Sequence, residues 1–241
     1  MANPRPDADV ERVLVVMAHP DDCEYGVGGT VAGWTRAGLE VTLLCLTRGE
    51  QGARPDADIS LIPALREREQ RAASAELGVH DVRFLDGFSD GALAPDADLV
   101  REIVRVIRDV RPQRIVGQSP ERNYDRIIGS HPDHLASGEA CVRAVYPASE
   151  NPFAWPELIA EGHAVWPVGE LWLISHPAPD HGVDITETLG QKVAALKQHA
   201  SQTGHRDDLE AMLLAWGELN AATLGWPRGR LAEMFKVVAV N

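Results

Sequence analysis

The alternation of short apolar runs with helical segments constrains the fold of this chain more than any other feature. The apolar runs, rich in Val, Leu and Ile, lie at 12–17, 40–46, 82–85 and 114–117. Segments with helical spacing or helix-end signals separate them at 27–37, 63–77 and 98–110. Strands separated by helices of about 10–15 residues form βαβ units and a parallel sheet. The sequence therefore predicts an α/β, Rossmann-like fold, with a mostly parallel sheet flanked by helices.

The second half of the chain is less regular. It is expected to contain strands at 171–175 and 234–240 and helices at 186–199 and 207–219. Between residues 151 and 169 we expect a long loop, a feature that is often functional in compact domains. Trp155 and Trp166 in this loop could stack on a sugar or cover an edge of the core. We expect one domain over residues 1–241, with the Rossmann-like core in its N-terminal half.

Charge and composition exclude several classes of partner. The 241 residues carry a formal net charge of −13, whereas proteins that bind nucleic acid or anionic membranes present a basic face. No stretch approaches the roughly 18 apolar residues of a membrane span. The three cysteines (Cys23, Cys45 and Cys141) have no CxxC spacing, which favours a reducing compartment. With no signal peptide at the N-terminus, the expected location is the cytoplasm.

A cluster of potential metal ligands follows the first strand. Ala18-His19-Pro20-Asp21-Asp22 stands where an open α/β sheet places its ligands, at the carboxyl end of a strand. His19 and Asp22 are three residues apart and could bind one ion if the chain turns at Pro20. In the structural alternative, Asp21 and Asp22 cap the following helix and His19 packs at the strand end. The glycines at 26, 28 and 29 do not match the dinucleotide-binding spacing.

A second cluster follows the fourth strand. Ser130-His131-Pro132-Asp133-His134 precedes a helical segment, with Ser130 as the expected N-cap and Asp133 at the third helical position. His131 and His134 would then lie on one face of the helix. A parallel sheet can bring this helix start beside the end of the first strand. Together the clusters offer His, Asp and His to a metal, and three protein ligands with an open fourth position are typical of catalytic zinc.

These motifs resemble the PIG-L/LmbE-like family of metal-dependent deacetylases. The likeness rests on A-H-P-D-D-x-E and H-P-D-H and extends over nearly the whole chain. Further matching segments are Thr47 to Glu50, Arg66 to Glu69, Lys192 to Gln202 and Ala232 to Phe235. Members of this family act on N-acetylglucosamine conjugates, including precursors of glycolipid anchors, mycothiol and bacillithiol, and on glycosylated antibiotics or chito-oligosaccharides. The resemblance implies an LmbE-like deacetylase fold, a small acetylated amino-sugar substrate and, since relatives often associate, a homo-oligomer.

The resemblance also implies a role for each motif residue. His19, Asp22 and His134 would bind Zn²⁺, with Fe²⁺ as an alternative metal in the cell. Asp21 would act as general base for water attack on the amide, and His131 would face the developing oxyanion or protonate the leaving amine. Asp133 or another acid would orient His131 from behind. Some members carry a tyrosine where this chain has Gly129, so the oxyanion partner of His131 stays open.

Three arginines are candidate substrate contacts. Arg48, Arg66 and Arg122 are expected near the strand ends, where arginine donors suit hydroxyl and phosphate groups. Arg66 is favoured because it matches the helix motif of the family. The structural alternative is that each arginine forms a salt bridge with one of the many acids. Substrate choice is expected to lie in the loops around 50–60, 120–130 and 150–170.

These features predict a zinc-dependent hydrolase that removes an acetyl group from an N-acetylated amino sugar or N-acetylglucosamine conjugate. A zinc amidase that cleaves a sugar–thiol conjugate is a second hypothesis with the same machinery. A third, from another class, is a metal-free Rossmann-type binding protein whose acidic motif contacts a ribose. Metal content discriminates the third hypothesis from the other two.

Overall fold

A seven-stranded sheet with helices on both faces organises the molecule. The structure, a computed structural model, describes residues 4–53 and 57–240. Residues 1–3, 54–56 and 241 lie outside that part, so the expected domain of 1–241 and the loop at 50–60 are described only in part. The extent of the domain stays a prediction.

The strands are β1 (Arg12–Met17), β2 (Glu40–Cys45), β3 (Asp81–Phe84), β4 (Arg114–Gln118), β5 (Glu170–Ile174), β6 (His181–Asp184) and β7 (Ala232–Ala239). The helices are α1 (Asp22–Arg36), α2 (Ile62–Glu76), α3 (Ala97–Val110), α4 (Pro132–Arg143), α5 (Pro156–Ala160), α6 (Leu189–Gln198), α7 (Ala200–Thr203) and α8 (Leu209–Thr223). Short 3₁₀ turns occupy Asp7–Asp9, Ile59–Leu61 and Ile127–Ser130, and a π-turn extends α4 over Ala144–Ala148.

The strand order places the expected site at the centre of the sheet. The order is β3-β2-β1-β4-β5-β7-β6, with β1 to β5 parallel and β7 antiparallel to both β5 and β6. Successive strands are added on one side of β1 up to β3, and the chain then returns to place β4 on its other side. Ligands of such sheets bind at this reversal, outside the carboxyl ends of the strands. The predicted α/β class and mostly parallel sheet are confirmed.

Alternating residues of β1 bury both faces of the sheet. Val13, Val15 and Met17 pack in a cluster that includes apolar residues of α1, α2 and α6, whereas Leu14 and Val16 pack with residues of α3 and α4. Because both faces of this strand are buried, its sequence reads as a continuous apolar run. None of the helices in the described ranges is both long enough and apolar enough to cross a bilayer.

Several element boundaries differ from the predicted ones. Helix α1 begins at Asp22 instead of residue 27, because the polar turn itself forms its first helical turn. Helix α6 begins at Leu189 instead of residue 186. Strand β6 was not predicted; it lies at the sheet edge and pairs with β7, which a sequence pattern of four residues cannot show. Within the loop at 151–169 the chain forms the short helix α5.

The two tryptophans of that loop are partly buried against the core. Trp155 and Trp166 pack against the same apolar cluster as α3. The Trp166 indole N–H also donates to the Pro112 carbonyl at 2.7 Å, just before β4 begins. Trp166 is therefore anchored near the amino end of that strand, at the edge of the sheet opposite the predicted site. Of the two interpretations offered by the sequence, the structure favours the core edge.

Candidate active site

The turn after β1 brings His19 and Asp22 together. Oδ2 of Asp22 accepts the His19 backbone N–H at 2.9 Å and lies 3.3 Å from Nδ1 of the His19 ring. Gln118, the last residue of β4, donates to the same oxygen at 3.1 Å, and its Oε1 accepts the Ala18 N–H at 3.1 Å. The adjacent strand end thus orients the Asp22 carboxylate. The sequence reasoning overlooked Gln118, although a polar residue at the carboxyl end of a buried strand is a usable signal.

Asp21 adopts a strained backbone conformation that helix α2 stabilises. Its φ of 83° lies in the left-handed region, where a residue other than glycine costs roughly 1–3 kcal/mol and is concentrated at functional sites. Gln70 accepts the Asp21 N–H at 2.9 Å, and Arg66 donates to the Asp21 carboxylate at 3.2 Å and to the Pro20 carbonyl at 2.8 Å. The Asp21 side chain makes no capping hydrogen bond to α1, so the capping interpretation does not describe Asp21.

The second cluster begins helix α4 one residue later than expected. His131, not Ser130, is the N-cap, and its Nδ1 accepts the Asp133 backbone N–H at 3.2 Å. Pro132 takes the first helical position, which needs no N–H donor, and this shifts the cap onto the residue before it. The Ser130 hydroxyl instead accepts the N–H of Asn123 at 2.8 Å. The expected cap was therefore wrong by one residue.

The two clusters meet as predicted. Oδ1 of Asp22 lies 3.1 Å from Nε2 of His134, while its Oδ2 faces His19. The rings of His19, His131 and His134 have centroids 5.2 to 5.4 Å apart. Two ligand atoms bound to one tetrahedral zinc at about 2.0–2.1 Å stand roughly 3.3–3.4 Å apart. The separations of 3.1 and 3.3 Å, each to a different oxygen of Asp22, are close to this value, and the nitrogen and oxygen donors are those that zinc accepts.

Other combinations of ligands also come close together. Among the described residues, ligand atoms of His19, His131 and His134 lie within 4.8 Å of one another, as do those of His19, Asp90 and Asp133. His131 is exposed to solvent, whereas His19 and His134 are partly buried. That exposure makes the His131 ring the most accessible of the three to a substrate.

Carboxylates outnumber cations around His19, and the pKa values reflect this. Burial would lower the pKa of His19, but hydrogen bonds to Asp22 and Asp90 outweigh it and raise the pKa to about 11. Burial would raise the pKa of Asp22, but the neighbouring His134 and His19 hold it well below its usual range. For Asp21, burial raises the pKa to about 7, and Asp22 adds to this although Arg66 opposes it. A bound cation would balance the excess negative charge.

Asp133 contacts a different histidine from the one expected. Its side chain is 1% exposed, and Oδ2 lies 3.1 Å from Nε2 of His19. Its carboxylate also accepts the backbone N–H groups of Gly91 at 2.7 Å and Leu93 at 3.3 Å. Among the described residues, Asp133 contacts the His131 ring through its backbone N–H and not through its carboxylate. Helix geometry explains this, because the side chain at the second helical position points away from that of the N-cap.

The predicted arginines have distinct environments. Arg66 is 4% exposed, and besides Asp21 and Pro20 it donates to the Gly49 carbonyl at 2.6 Å, so it supports the turn from behind. Arg48 is tied to Glu67, the Leu85 carbonyl and Asp86. These contacts match the salt-bridge alternative and leave both guanidinium groups engaged within the protein. Their predicted substrate contact has no support in these contacts.

Arg122 is the arginine that remains accessible. Its side chain is exposed, and a long contact of 3.4 Å joins its Nη1 to the carbonyl of Ser130, the residue before His131. Arg122 thus lies beside the second cluster with most of its donors directed to solvent. Its predicted contact with substrate stays a prediction.

The remaining matching segments support helix α1. Glu233 accepts the N–H groups of Gly29 at 3.0 Å and Thr30 at 2.8 Å, and Lys192 pairs with it at 2.5 Å. His199, fully buried, lies 3.3 Å from the Glu24 carboxylate on α1. These buried contacts fix α1 relative to α6 and β7, and thereby fix the turn that precedes α1.

Comparison with known proteins identifies the family. The model of the PIG-L family, described as GlcNAc-PI de-N-acetylase, matches residues 14–145. The chain is 37% identical over 201 residues to the diacetylchitobiose deacetylase of Thermococcus kodakarensis, covering 82% of this chain and 72% of that protein. This chain belongs to the PIG-L family.

Two further relatives agree with this assignment. The "Probable N-acetyl-alpha-D-glucosaminyl L-malate deacetylase 2" of Bacillus cereus is 36% identical over 223 residues, which cover 89% of this chain and 93% of that protein. The solved structure of N,N'-diacetylchitobiose deacetylase from Pyrococcus horikoshii superposes with a TM-score of 0.87 at 26% identity, covering 97% of this chain and 86% of that one. The predicted LmbE-like fold and membership of a family of metal-dependent deacetylases, hydrolases of a carbon–nitrogen bond, are confirmed.

Proposed function

We propose that this protein is a zinc-dependent N-deacetylase that releases acetate from an N-acetylated amino sugar or N-acetylglucosamine conjugate. One observation carries the proposal: the two oxygens of the Asp22 carboxylate lie 3.3 Å from Nδ1 of His19 and 3.1 Å from Nε2 of His134, and the adjacent Asp21 is held in a strained backbone conformation. The names of the relatives support the substrate class, since they specify diacetylchitobiose and an N-acetylglucosaminyl malate.

His19, Asp22 and His134 are the proposed zinc ligands. The three side chains are 12–19% exposed, so substrate and water can reach the ion from one side. When bound, zinc polarises the amide carbonyl and lowers the pKa of its bound water to about 7. Three carboxylates face His19, Asp21 adds a fourth nearby, and Arg66 is the buried fixed cation beside Asp21. This charge balance favours a divalent cation.

Asp21 is the proposed general base. Its carboxylate is adjacent to the ligand Asp22 and is oriented by Arg66 and, through the backbone, by Gln70. In the reaction it takes a proton from the attacking water, a function that contributes about 10²–10⁴-fold to the rate when the base is well placed. Arg66 and Gln70 are positioning residues, because their contacts are with the turn.

His131 is the proposed acid for the leaving amine. Nδ1 of its ring accepts the Asp133 N–H, so Nε2 is the nitrogen available for proton transfer. The ring is exposed and lies 5.2 Å from that of His19. When Nε2 is protonated it can also stabilise negative charge on the acyl oxygen. Arg122, beside the same loop, is the proposed contact for sugar hydroxyl or acidic groups of the substrate.

The alternative functions and the alternative metal predict different experimental results. An amidase of a sugar–thiol conjugate would use the same ligands and would be recognised by release of an acid other than acetate. A metal-free binding protein would hold no ion, and a nucleotide would raise its melting temperature. A ferrous enzyme would lose activity in air and regain it with Fe²⁺ under anaerobic conditions.

The deciding experiment compares metal and activity in three proteins. Wild type, the Asp22→Ala/His134→Ala variant and a matched control, His80→Ala/Asp98→Ala, are analysed for metal and for acetate release from N-acetylglucosamine derivatives. The control removes one histidine and one aspartate that are exposed at other positions of the fold. We expect about one metal per chain in wild type and control, and loss of both metal and activity in the site variant. Metal-free wild type after reconstitution would overturn the proposal.

Three further properties are proposed. The three cysteines of the described chain are free and buried, which suits the reducing cytoplasm. Formation of a homo-oligomer stays a prediction, which sedimentation velocity tests directly. The predicted absence of nucleic-acid binding follows from the net charge of −13.

A further inference from the structure

An acidic residue that the motifs do not include touches the histidine after β1. Oδ1 of Asp90 lies 3.0 Å from Nε2 of His19, on the side of the ring opposite the nitrogen that faces Asp22. We propose that Asp90 is a positioning residue of the metal site, which together with Asp133 holds the His19 ring so that Nδ1 faces the ion. This inference rests on the proposed function, because it takes His19 to be a metal ligand.

Asp90 is itself held in place at several points. Its Oδ2 accepts the Gln51 backbone N–H at 2.9 Å, and its own N–H donates to the Glu50 carboxylate at 2.9 Å. The Gln51 amide donates to the Asp90 carbonyl. These bonds fix both the backbone and one carboxylate oxygen, and they leave Oδ1 directed at His19. A side chain fixed in this way can orient a ring, which a mobile surface acid cannot do.

Two carboxylates on one ring nitrogen determine which nitrogen of His19 keeps its hydrogen when an ion binds the ring. Asp90 and Asp133 both approach Nε2 of His19, at 3.0 and 3.1 Å. Ionised carboxylates only accept hydrogen bonds, so Nε2 must be the donor. Nδ1, on the other side of the ring, lies 3.3 Å from Oδ2 of Asp22, and it would give up its own proton when an ion binds there. Partners of this kind fix the orientation of metal-binding histidines and raise their basicity.

The same loop also supports the proposed base. Gly49, directly before Glu50 and Gln51, accepts the hydrogen bond from Arg66, which contacts Asp21. Asp90 therefore fastens the segment 49–51 as well as contacting His19, and a test must separate these two effects.

The test is zinc affinity, measured by competition with a chromophoric chelator. Asp90→Asn keeps the shape of the side chain but removes its charge, and we expect zinc binding about 10–100-fold weaker. Asp86→Asn makes the same change in the same loop at a side chain that is 91% exposed, and Gln51→Ala removes the side-chain fastening while leaving Asp90. Asp86→Asn should bind zinc with the affinity of wild type. Gln51→Ala should lose less affinity than Asp90→Asn, because it keeps the Asp90 carboxylate and the backbone N–H of residue 51 that binds it.

Each outcome decides the inference. Wild-type affinity in Asp90→Asn, or equal losses in Asp90→Asn and Gln51→Ala, would overturn it. So would binding of two zinc ions by wild type and one by Asp90→Asn, which would make Asp90 a ligand of a second ion. If Asp90→Asn fails to fold, ¹⁵N NMR of histidine-labelled wild type with zinc gives the answer. Hydrogen on Nε2 of His19 supports the inference, and hydrogen on Nδ1 contradicts it.

This measurement also separates the inference from the function. Zinc affinity needs no substrate, so a wrong choice of acetylated sugar leaves it unaffected. Wild type that binds no zinc would contradict the proposed function. An Asp90→Asn variant with unchanged zinc affinity would contradict only the inference about Asp90.

Discussion

Two charge clusters lie at opposite ends of the strands of this sheet, and their charges are neutralised in different ways. The amino edge is the side where β1 and β4 begin, and the carboxyl edge is the side where they end. At the amino edge, Arg114 of β4 is fully buried and donates to Glu170 at 2.6 Å, to Asp7 at 2.5 Å and to the Arg5 carbonyl at 2.7 Å. The rings of Trp34 and Trp172 lie against its guanidinium, at 5.0 and 4.2 Å. Each nitrogen of the guanidinium has a partner, and aromatic rings cover the group.

At the carboxyl edge, negative side chains outnumber the buried positive one. Asp21, Asp22, Asp90 and Asp133 converge on one region, where Arg66 is the buried fixed cation. The side chains of the proposed ligands stay partly open to solvent, and Asp21 keeps a strained backbone. Removing one partner of a fully paired, buried cluster leaves an uncompensated charge and destabilises the fold. An open cluster with excess carboxylates suits a cation and a reaction. The comparison predicts that changes at the two edges have separable effects.

The largest expected effect is on catalysis at the carboxyl edge. Asp21→Asn should lower kcat by about 10²–10⁴-fold, because Asn cannot accept the proton from water but tolerates a positive φ. Metal content and melting temperature should stay at the wild-type values. Steady-state kinetics with elemental analysis checks this. Near-normal kcat would remove Asp21 from its proposed role and leave the metal site in place.

The next effect is on stability at the amino edge. Arg114→Met should destabilise the protein by about 3–5 kcal/mol, because it leaves the buried Glu170 carboxylate without its charged partner. The kcat of the protein that remains folded should not change, since this cluster lies at the other end of β4. Urea unfolding and activity per folded molecule test the two statements. A fall in kcat at unchanged stability would contradict the division between the edges.

A smaller effect, on both stability and kcat, is expected from a substitution at Gly49. Its φ is 63°, and a Cβ there would lie 2.0 Å from Nη1 of Arg66. Gly49→Ala should cost roughly 1–2 kcal/mol for the left-handed backbone and lower kcat by displacing the arginine that orients Asp21. Gly33→Ala is the control, because it lies within α1 with open space around it and should be neutral or stabilising. Equal kcat in both variants would mean that Arg66 does not position the base.

Local sequence determined much of the chain. The β-branched run of β1 was predicted with its observed bounds, since both of its faces are buried and its pattern needs no partner to be recognised. The glycine that follows α2, Gly78, has the positive φ expected of a helix end. The convergence of the His19 and His134 motifs was also predictable, because the carboxyl ends of neighbouring parallel strands meet at one edge.

Only the tertiary structure decided which polar residues support that site. Gln70, Gln118 and Asp90 are separated in sequence from the residues they contact by 49, 96 and 71 positions, respectively. No local periodicity encodes such pairings. Arg66 matched a motif but lies buried behind Asp21, and Asp133 contacts His19 in place of His131. The sequence was enough to predict the proposed ligands because they follow strands directly. Their supports depend on how loops and helices pack, which is a property of the whole fold.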